Sequence, residues 1–309
     1  MPPRSVPRED RLFYFSLVPF AYIIIAALLL LALSITWKAL PALEAYGIDL
    51  FLRNVWAPRE DSPGDYGLLA AIYGTLVSAF IAVVLALPLS VSLAIAVEEL
   101  APKPLRGAIA FLNDVAAGFP TIAFGLWGVE YLVPFLRDYV MRPLYSSIGF
   151  LPTFSCEPLS GASLLAAGTL LAFMVTPFMT ALIREAYASV PFHLREAAAS
   201  VSSAWYQEVL LVLGMIKPAI VAALLLGYGR AAGETVAVSL VVGNSFNVSL
   251  CLFAPSYTVS ALIANQFGNA TYYPLMPEVL FAGGVFLFVI GLVINWMGVR
   301  MIERVRWVG

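Results

Sequence analysis

The sequence predicts an all-α membrane protein with six transmembrane helices. Of its 309 residues, 61% are hydrophobic and only 12% are charged, and the mean hydropathy of +0.90 is far above that of soluble domains. The apolar runs are long and do not alternate as barrel strands do, and backbone groups in lipid must bond within their own segment. The small net charge of −2, without a basic stripe, excludes a nucleic-acid partner.

Six apolar runs are long enough to cross a lipid bilayer. They are 14–40, 67–97, 108–136, 161–187, 218–243 and 278–300. An even number puts both termini on one side, and a cytoplasmic assignment leaves most of the 17 lysines and arginines inside. We expect a multi-pass cell-membrane protein. The first run could instead be a signal peptide, but it is longer than a usual signal core and no small-residue cleavage site follows it.

The chain divides into three parts on this basis. Residues 1–66 form a cytoplasmic tail, the first span and an outer loop, residues 67–300 form a core of five spans, and residues 301–309 form a second cytoplasmic tail. Charged residues, prolines and glycines are mixed in 41–66, which predicts a solvated outer loop.

Two features interrupt the core. Pro120 predicts a kink in the third span, where Thr121 either offers its hydroxyl to a passing anion or bonds its own backbone. Gly229 and Gly233 form a GxxxG pair, which favours close helix packing or, alternatively, lines a path. Outside the spans, 258–267 predicts a short helix that dips into the outer half of the bundle.

The segment 188–217 is amphipathic, mixed in charge and rich in helix formers, with Arg195 and Glu196 among alanines. A plain inter-helix connection would be far shorter. We interpret this segment as a cytoplasmic docking element, with a solvated connection as the alternative.

The most informative residues are Arg230 and Glu234, in the run Gly-Arg-Ala-Ala-Gly-Glu-Thr that ends at Thr235. Counted from Pro218, Arg230 lies roughly 18 Å along a helix, near the middle of the bilayer. Charges at that depth cost about 3 kcal/mol and usually mark a substrate or ion path. Glu234, four residues on, faces the same side of the helix. The alternative is a buried ion pair that only tightens the bundle.

Motifs for catalysis are missing. The chain has no Gly-Lys pair for a phosphate-binding loop and no nucleophile motif. His193 is a surface residue rather than a metal ligand by its spacing. The sequence therefore predicts a chain without catalytic residues, metal or cofactor of its own. Cys156 and Cys251 both fall on outer segments, where they form a disulfide or remain free thiols.

The segment 188–217 resembles the cytoplasmic loop of ABC-importer permeases. Glu196, Ala197 and Ala198 match the Glu-Ala-Ala start of that loop, and Ser202 stands at its glycine position. The end of the loop motif starts at Val212, where the spacing is one residue shorter than in the family and the family's proline is missing. The resemblance implies a short helix pair that fits a groove on an ATPase subunit, with the contact spanning Arg195 to Val212.

A more specific resemblance covers about 67–300 and is to the phosphate-importer permeases of the PstC type. It rests on 229–238 with 243–245, and on matches at 73–76, 118–121, 125–128, 261–268 and Asn295. Gly229 before the arginine favours PstC over the sister permease PstA, which usually has serine there.

The resemblance implies a MetI-like ABC-importer permease fold and a set of partners. These are a second, PstA-like permease, two ATPase subunits that bind ATP and magnesium, an extracellular phosphate-binding protein, and membrane lipid. Arg230, Glu234, Thr235 and Thr121 would line the substrate path. Alternatives are a permease for sulfate or molybdate, a secondary transporter or channel, and a membrane-embedded enzyme.

Overall fold

Helices form nearly all the regular structure in residues 8–303, the part of the chain that the computed structural model describes. Arg4, Arg304 and Arg306, and most of the predicted tail at 301–309, lie outside it. The helices are α1 Arg8–Tyr46, α2 Asp49–Leu52, α3 Leu69–Ile95, α4 Lys103–Ala117, α5 Thr121–Trp127, α6 Val133–Leu136, α7 Arg142–Ile148, α8 Leu164–Ala188, α9 Phe192–Val201, α10 Trp205–Met215, α11 Lys217–Ala232, α12 Val236–Val241, α13 Val259–Gln266 and α14 Met276–Ile302.

Shorter elements complete the chain. π-Helical turns at Ala96–Leu100, Gly128–Leu132 and Arg137–Met141 continue the helices before them, and 3₁₀ turns lie at Pro152–Phe154 and Phe267–Tyr272. Strands β1 Trp56–Ala57 and β2 Asp65–Tyr66 pair antiparallel.

Among the described residues, four helices are long and apolar enough to cross a membrane: Phe15–Tyr46, Leu69–Leu100, Leu164–Ala188 and Met276–Met301. Two further helix pairs qualify only together, across a bend of 87° between Pro104–Ala117 and Thr121–Ile148 and a bend of 66° between Trp205–Met215 and Lys217–Ala232. Counting each pair as one span gives up to six, the predicted number. The second pair reaches this count only with Trp205–Met215, which belongs to the segment predicted to dock in the cytoplasm.

Three apolar clusters follow one another along the bundle, and α3 contributes to each. Ile72 belongs to a cluster with α13 and α14, Ala82 to a central cluster with α8, and Ala94 to a cluster with α10 and α11. Small residues let α3 and α8 pack closely, since a Cβ added to Gly168 would lie 2.5 Å from Ile81. We call the end of the bundle that holds α9 and α10 the coupling end.

The segment 41–66 is not the solvated loop that its composition predicts. It continues α1 to Tyr46, forms α2 and the two strands, and buries Leu50 and Tyr66 completely at the end opposite the coupling end. Burial, with the neighbouring Tyr46 and Tyr273, raises the pKa of Tyr66 to about 12. The local sequence misleads because some of its apolar residues, Leu50, Trp56 and Tyr66 among them, pack in one cluster with residues of α13 and α14.

Two predicted spans are broken. The kink predicted at Pro120 is confirmed and is a full break, because α4 ends at Ala117 and α5 starts at Thr121. The fifth span was predicted to be continuous, and this is wrong: α11 ends at Ala232 and α12 starts at Val236. The helix stops at Gly233, whose missing side chain makes it a poor helix residue and a common helix terminator.

The predicted short helix at 258–267 is present as α13. The side chain of Thr258 accepts a hydrogen bond from the backbone N–H of Ala261, which satisfies one of the free amides at the helix start. Its first residues, from Val259 to Leu262, are buried.

Candidate functional site: a crossing of two broken helices

The two helix breaks are joined through Arg230. This arginine lies in the last turn of α11, and its Nη2 donates a hydrogen bond to the backbone carbonyl of Ala117, 3.1 Å away, at the end of α4. That carbonyl is free because the helix stops there. We call Arg230, Ala117 and the two breaks at 118–120 and 233–235 the central crossing.

The surroundings of Arg230 are neutral. Its guanidinium carbon lies 5.3 Å from the centre of the Phe178 ring on α8, and its side chain is exposed on the surface of the subunit. Among the described residues, no carboxylate lies within 4.0 Å of it. The guanidinium is therefore not paired with a carboxylate and has donors to spare.

Glu234 does not face Arg230 one helical turn later, as the continuous helix would have required. It is a half-buried residue in the break beyond α11, and its backbone carbonyl accepts a 2.6 Å hydrogen bond from Ser260 Oγ of α13. Thr235 follows in the same break, with its hydroxyl 3.3 Å from the carbonyl of Gly233. The alternative of an ion pair between Arg230 and Glu234 on one helix is thus wrong. Glu234 and Thr235 still follow Arg230 closely in the sequence.

Thr121 begins α5 on the far side of the first break and is half-buried. A Cβ added to Gly125 one turn later would lie 3.0 Å from Ala237 Cα, so α5 passes very close to α12. The two breaks are therefore held together by direct packing as well as by Arg230.

The GxxxG pair does not form one packing surface. A Cβ on Gly229 would lie 3.2 Å from Asn295 Oδ1 on α14, whereas Gly233 is exposed and meets only backbone of its own helix. The close packing of α11 falls instead on Gly227, where an added Cβ would lie 2.8 Å from Met179 Sδ.

The docking segment forms two helices, α9 and α10, and divides its predicted residues between two sides. Glu196 and Ala197 are exposed, whereas Ala198 and Val212 are buried within the subunit. Two others contact the chain itself: Ser202 Oγ donates to the carbonyl of Ala198 at 2.7 Å, and Arg195 lies 3.2 Å from Glu99. Ala198 and Val212 face the bundle, because one side of each of these short amphipathic helices holds it on the subunit, and the predicted contact of the segment with a partner therefore depends on its exposed residues.

At the opposite end, Cys156 and Cys251 are joined by a disulfide across a sequence separation of 95 residues. It links the loop after α7 to the loop before α13. The described residues contain no free cysteine.

Several residues in or next to the central crossing could not be identified from the sequence. Ala117 acts through its backbone, Phe178 is one apolar residue among many, and Ser260 is a single hydroxyl in a short helix. The proline at 120 was the available clue to the first break, whereas a single glycine such as Gly233 does not by itself mark the second.

Comparison with known proteins decides the family. A probable phosphate transport system permease protein PstC of Methanocaldococcus jannaschii is 51% identical over 271 residues, which cover 87% of this chain and 86% of that protein. A phosphate transport system permease protein PstC of Xylella fastidiosa is 40% identical over 268 residues, covering 85% and 82%. The chain belongs to the PstC family of phosphate transport system permeases. No protein-family model matches it.

The fold of this PstC-family chain is shared with a solved importer. An inward-facing structure of the MetNI methionine ABC transporter matches with a TM-score of 0.53 and 19% identity, over 78% of this chain and 96% of that one. The MetI-like fold predicted from the sequence is therefore confirmed. The PstC-family chain is a multi-pass membrane subunit of a multicomponent ABC importer, and a transporter subunit rather than an enzyme.

Proposed function

We propose that this subunit forms one wall of a phosphate path and that Arg230 is the residue on which the anion is held. The other wall is a second, PstA-like permease that covers the exposed face of the central crossing. The single observation that carries the proposal is that Arg230 is an exposed cation in the last turn of an apolar helix, with no carboxylate to neutralise it among the described residues.

The contacts of Arg230 suit reversible anion binding. A carbonyl and an aromatic ring hold the guanidinium in place but leave its charge uncompensated. A phosphate oxygen offers a stronger, charge-assisted hydrogen bond than the carbonyl of Ala117 and can be bound through two donors at once. Arginine also stays protonated when desolvated, which a lysine at this depth does not guarantee.

Glu234 and Thr235 complete the proposed path. Glu234 holds a negative charge four residues from Arg230 without being bound to it, which limits how tightly an anion can be held. Thr235 and, across the crossing, Thr121 add hydroxyl groups that can donate to phosphate oxygens. The fixed backbone of Glu234, tied to α13 by Ser260, keeps this acid in the break.

We propose that ATP hydrolysis by partner subunits drives transport through the coupling end. We place two ATPase subunits, which bind ATP and magnesium, against the exposed side of α9 and α10. Glu196 and Ala197 lie there beside the exposed side chains of Phe192, Val201 and Trp205, and large exposed apolar residues of this kind favour a protein partner. This places both termini in the cytoplasm and an extracellular phosphate-binding protein at the opposite end.

The test is uptake by the purified assembly in lipid vesicles that enclose ATP. We expect labelled phosphate to accumulate only with all partners present, and unlabelled phosphate to compete while sulfate and molybdate do not. Competition by sulfate or molybdate would mean that the importer carries another oxyanion. Uptake without the ATPase subunits would indicate a secondary transporter.

A variant pair tests the anion site itself. Arg230→Gln should abolish uptake in an assembly that still forms, because the amide removes the charge. Arg142→Gln is the matched control, since Arg142 is exposed and pairs with Asp138 at 3.0 Å away from the crossing. Retained uptake in the Arg230→Gln assembly would overturn the proposal.

A further inference from the structure

The last turn of the second span is a π-helical turn, Ala96–Leu100, that ends with a hydrogen bond from Ala101 N to Ala96 O at 2.8 Å. Such turns are rare and mark places where a helix presents side chains in an unusual direction. Here the turn carries two successive acids, Glu98 and Glu99, which reach different neighbours.

Glu99 binds the docking helix. Its Oε1 lies 3.2 Å from Arg195 Nη1, and both side chains are mostly buried. The same arginine donates from Nη2 to the carbonyl of Tyr187 on α8 at 2.5 Å, with its guanidinium carbon 4.7 Å from the Tyr187 ring. Arg195 is thus fixed to α3 and α8 by three contacts, although it belongs to α9.

Glu98 binds the two helices that hold the central crossing. It lies 3.9 Å from Arg184 on α8 and 3.5 Å from Arg106 on α4. Arg184 also lies 3.7 Å from Asp114, one turn before the end of α4. The turn Ala96–Leu100 is therefore joined by charge to α4, α8 and α9.

These same helices carry the two groups that hold Arg230. Ala117, whose carbonyl accepts from Arg230, is three residues from Asp114 on α4, and Phe178 is nine residues from Tyr187 on α8. On a helix this second separation is roughly 14 Å. A displacement of α9 thus has a direct mechanical connection to both contacts of Arg230.

We propose that Arg195 and Glu99 form a clasp that transmits movement of the docking helix to the anion site. Arg195 is then a positioning residue that acts inside the subunit, and not a contact to the ATPase. The inference rests on the proposed function, because it takes α9 as the element that the ATPase moves.

The test uses the complete importer in vesicles and compares Arg195→Gln, Glu99→Gln and the double variant. We expect each single variant to keep its ATPase subunits but to lower the uptake per ATP hydrolysed about tenfold, a usual size for coupling between sites. The double variant should be no worse than Arg195→Gln alone, since the interaction with Glu99 is already lost in that variant. Arg195→Lys keeps the charge that faces Glu99 but loses the forked donors and the ring contact, so it should recover only part of the ratio lost in Arg195→Gln.

Arg300→Gln is the matched control, because its 4.0 Å pair with Glu303 is exposed on α14. It should leave uptake per ATP unchanged. The clasp is wrong if Arg195→Gln detaches the ATPase, if both single variants keep the native ratio, if their losses add in the double variant, or if Arg195→Lys is as poor as Arg195→Gln.

A second measurement does not depend on the transported anion. Hydrogen exchange of the backbone amides in Phe192–Val201 should rise about tenfold in the assembled Arg195→Gln permease and stay constant in Arg300→Gln. Unchanged exchange would overturn the clasp. An assembly that hydrolyses ATP but moves no phosphate would contradict the proposed function alone, and this exchange measurement would still decide the clasp.

Discussion

Arginines in two regions of this chain have opposite surroundings. At the coupling end, Arg184 and Arg195 each lie within 4.0 Å of a carboxylate. At the central crossing, Arg230 lies against a carbonyl and an aromatic ring. The paired arginines have their charge compensated and are suited to holding helices together, whereas Arg230 keeps its charge available for an anion. The choice of partner, rather than the presence of an arginine, separates a structural role from the binding role proposed for Arg230.

The largest effect is expected when Arg230 is given a carboxylate partner. Phe178→Glu places an acid where the ring now lies, 5.3 Å from the guanidinium carbon. Phosphate uptake should fall at least about 100-fold, equivalent to about 2.7 kcal/mol, because the anion must compete with a fixed charge. The control Phe178→Leu removes only the ring contact, worth about 1 kcal/mol, and should retain most uptake. Equal losses in the two variants would contradict the reasoning.

At the coupling end, the loss of a paired arginine should lower the stability of the subunit. Arg184→Gln leaves Glu98 and Asp114 without this partner, and the side chains of Arg184 and Glu98 are only 19% and 15% exposed. We expect the free energy of unfolding in detergent to fall by about 2 kcal/mol, somewhat less than for a fully buried pair. Arg184→Lys should recover part of this loss. Normal stability of Arg184→Gln would mean that these pairs do not hold the helices.

Glu234 offers a second test of the unpaired arginine, because this acid is close to Arg230 in sequence but is not paired with it. Glu234→Gln should lower the KM for phosphate uptake about tenfold, since removal of a nearby like charge strengthens anion binding. The kcat should fall as release becomes slower. A raised KM would instead mean that Glu234 supports binding, through Arg230 or directly.

The smallest effect is expected where a paired arginine is exposed. Arg300 lies 4.0 Å from Glu303, and their side chains are 64% and 58% exposed. Arg300→Gln should change the free energy of unfolding by less than about 0.5 kcal/mol, because water screens such pairs. A loss as large as that of Arg184→Gln would show that pairing, and not burial, decides the structural role.

Composition and periodicity were enough to predict the helical class, the number of spans and the kink at Pro120. These features depend on local apolarity and on a residue that lacks an N–H group. The break at Gly233 could not be read in the same way, since a single glycine is tolerated in many helices. The partners of Arg230 were also out of reach, because a backbone carbonyl at Ala117 and a ring at Phe178 come together only in the folded bundle.

The docking segment shows a similar limit. Its helical character and Glu196 were visible in the sequence, but which side of α9 and α10 turns inward was not. Ala198 and Val212 are buried while Glu196 is exposed, and Arg195 reaches Glu99, 96 residues earlier in the chain. Contacts over such separations depend on how distant helices pack, which short-range patterns do not contain.

The two interruptions at 118–120 and 233–235 have a consequence for the life of the subunit in the cell. Hydrocarbon offers no hydrogen bonds, so main-chain groups outside a helical ladder must be shielded by protein or wetted by a cavity. A solitary copy would turn this stretch and the bare guanidinium of Arg230 towards acyl chains. Orphan copies should therefore be short-lived substrates for membrane quality control, and co-expression of the companion permease should extend their lifetime.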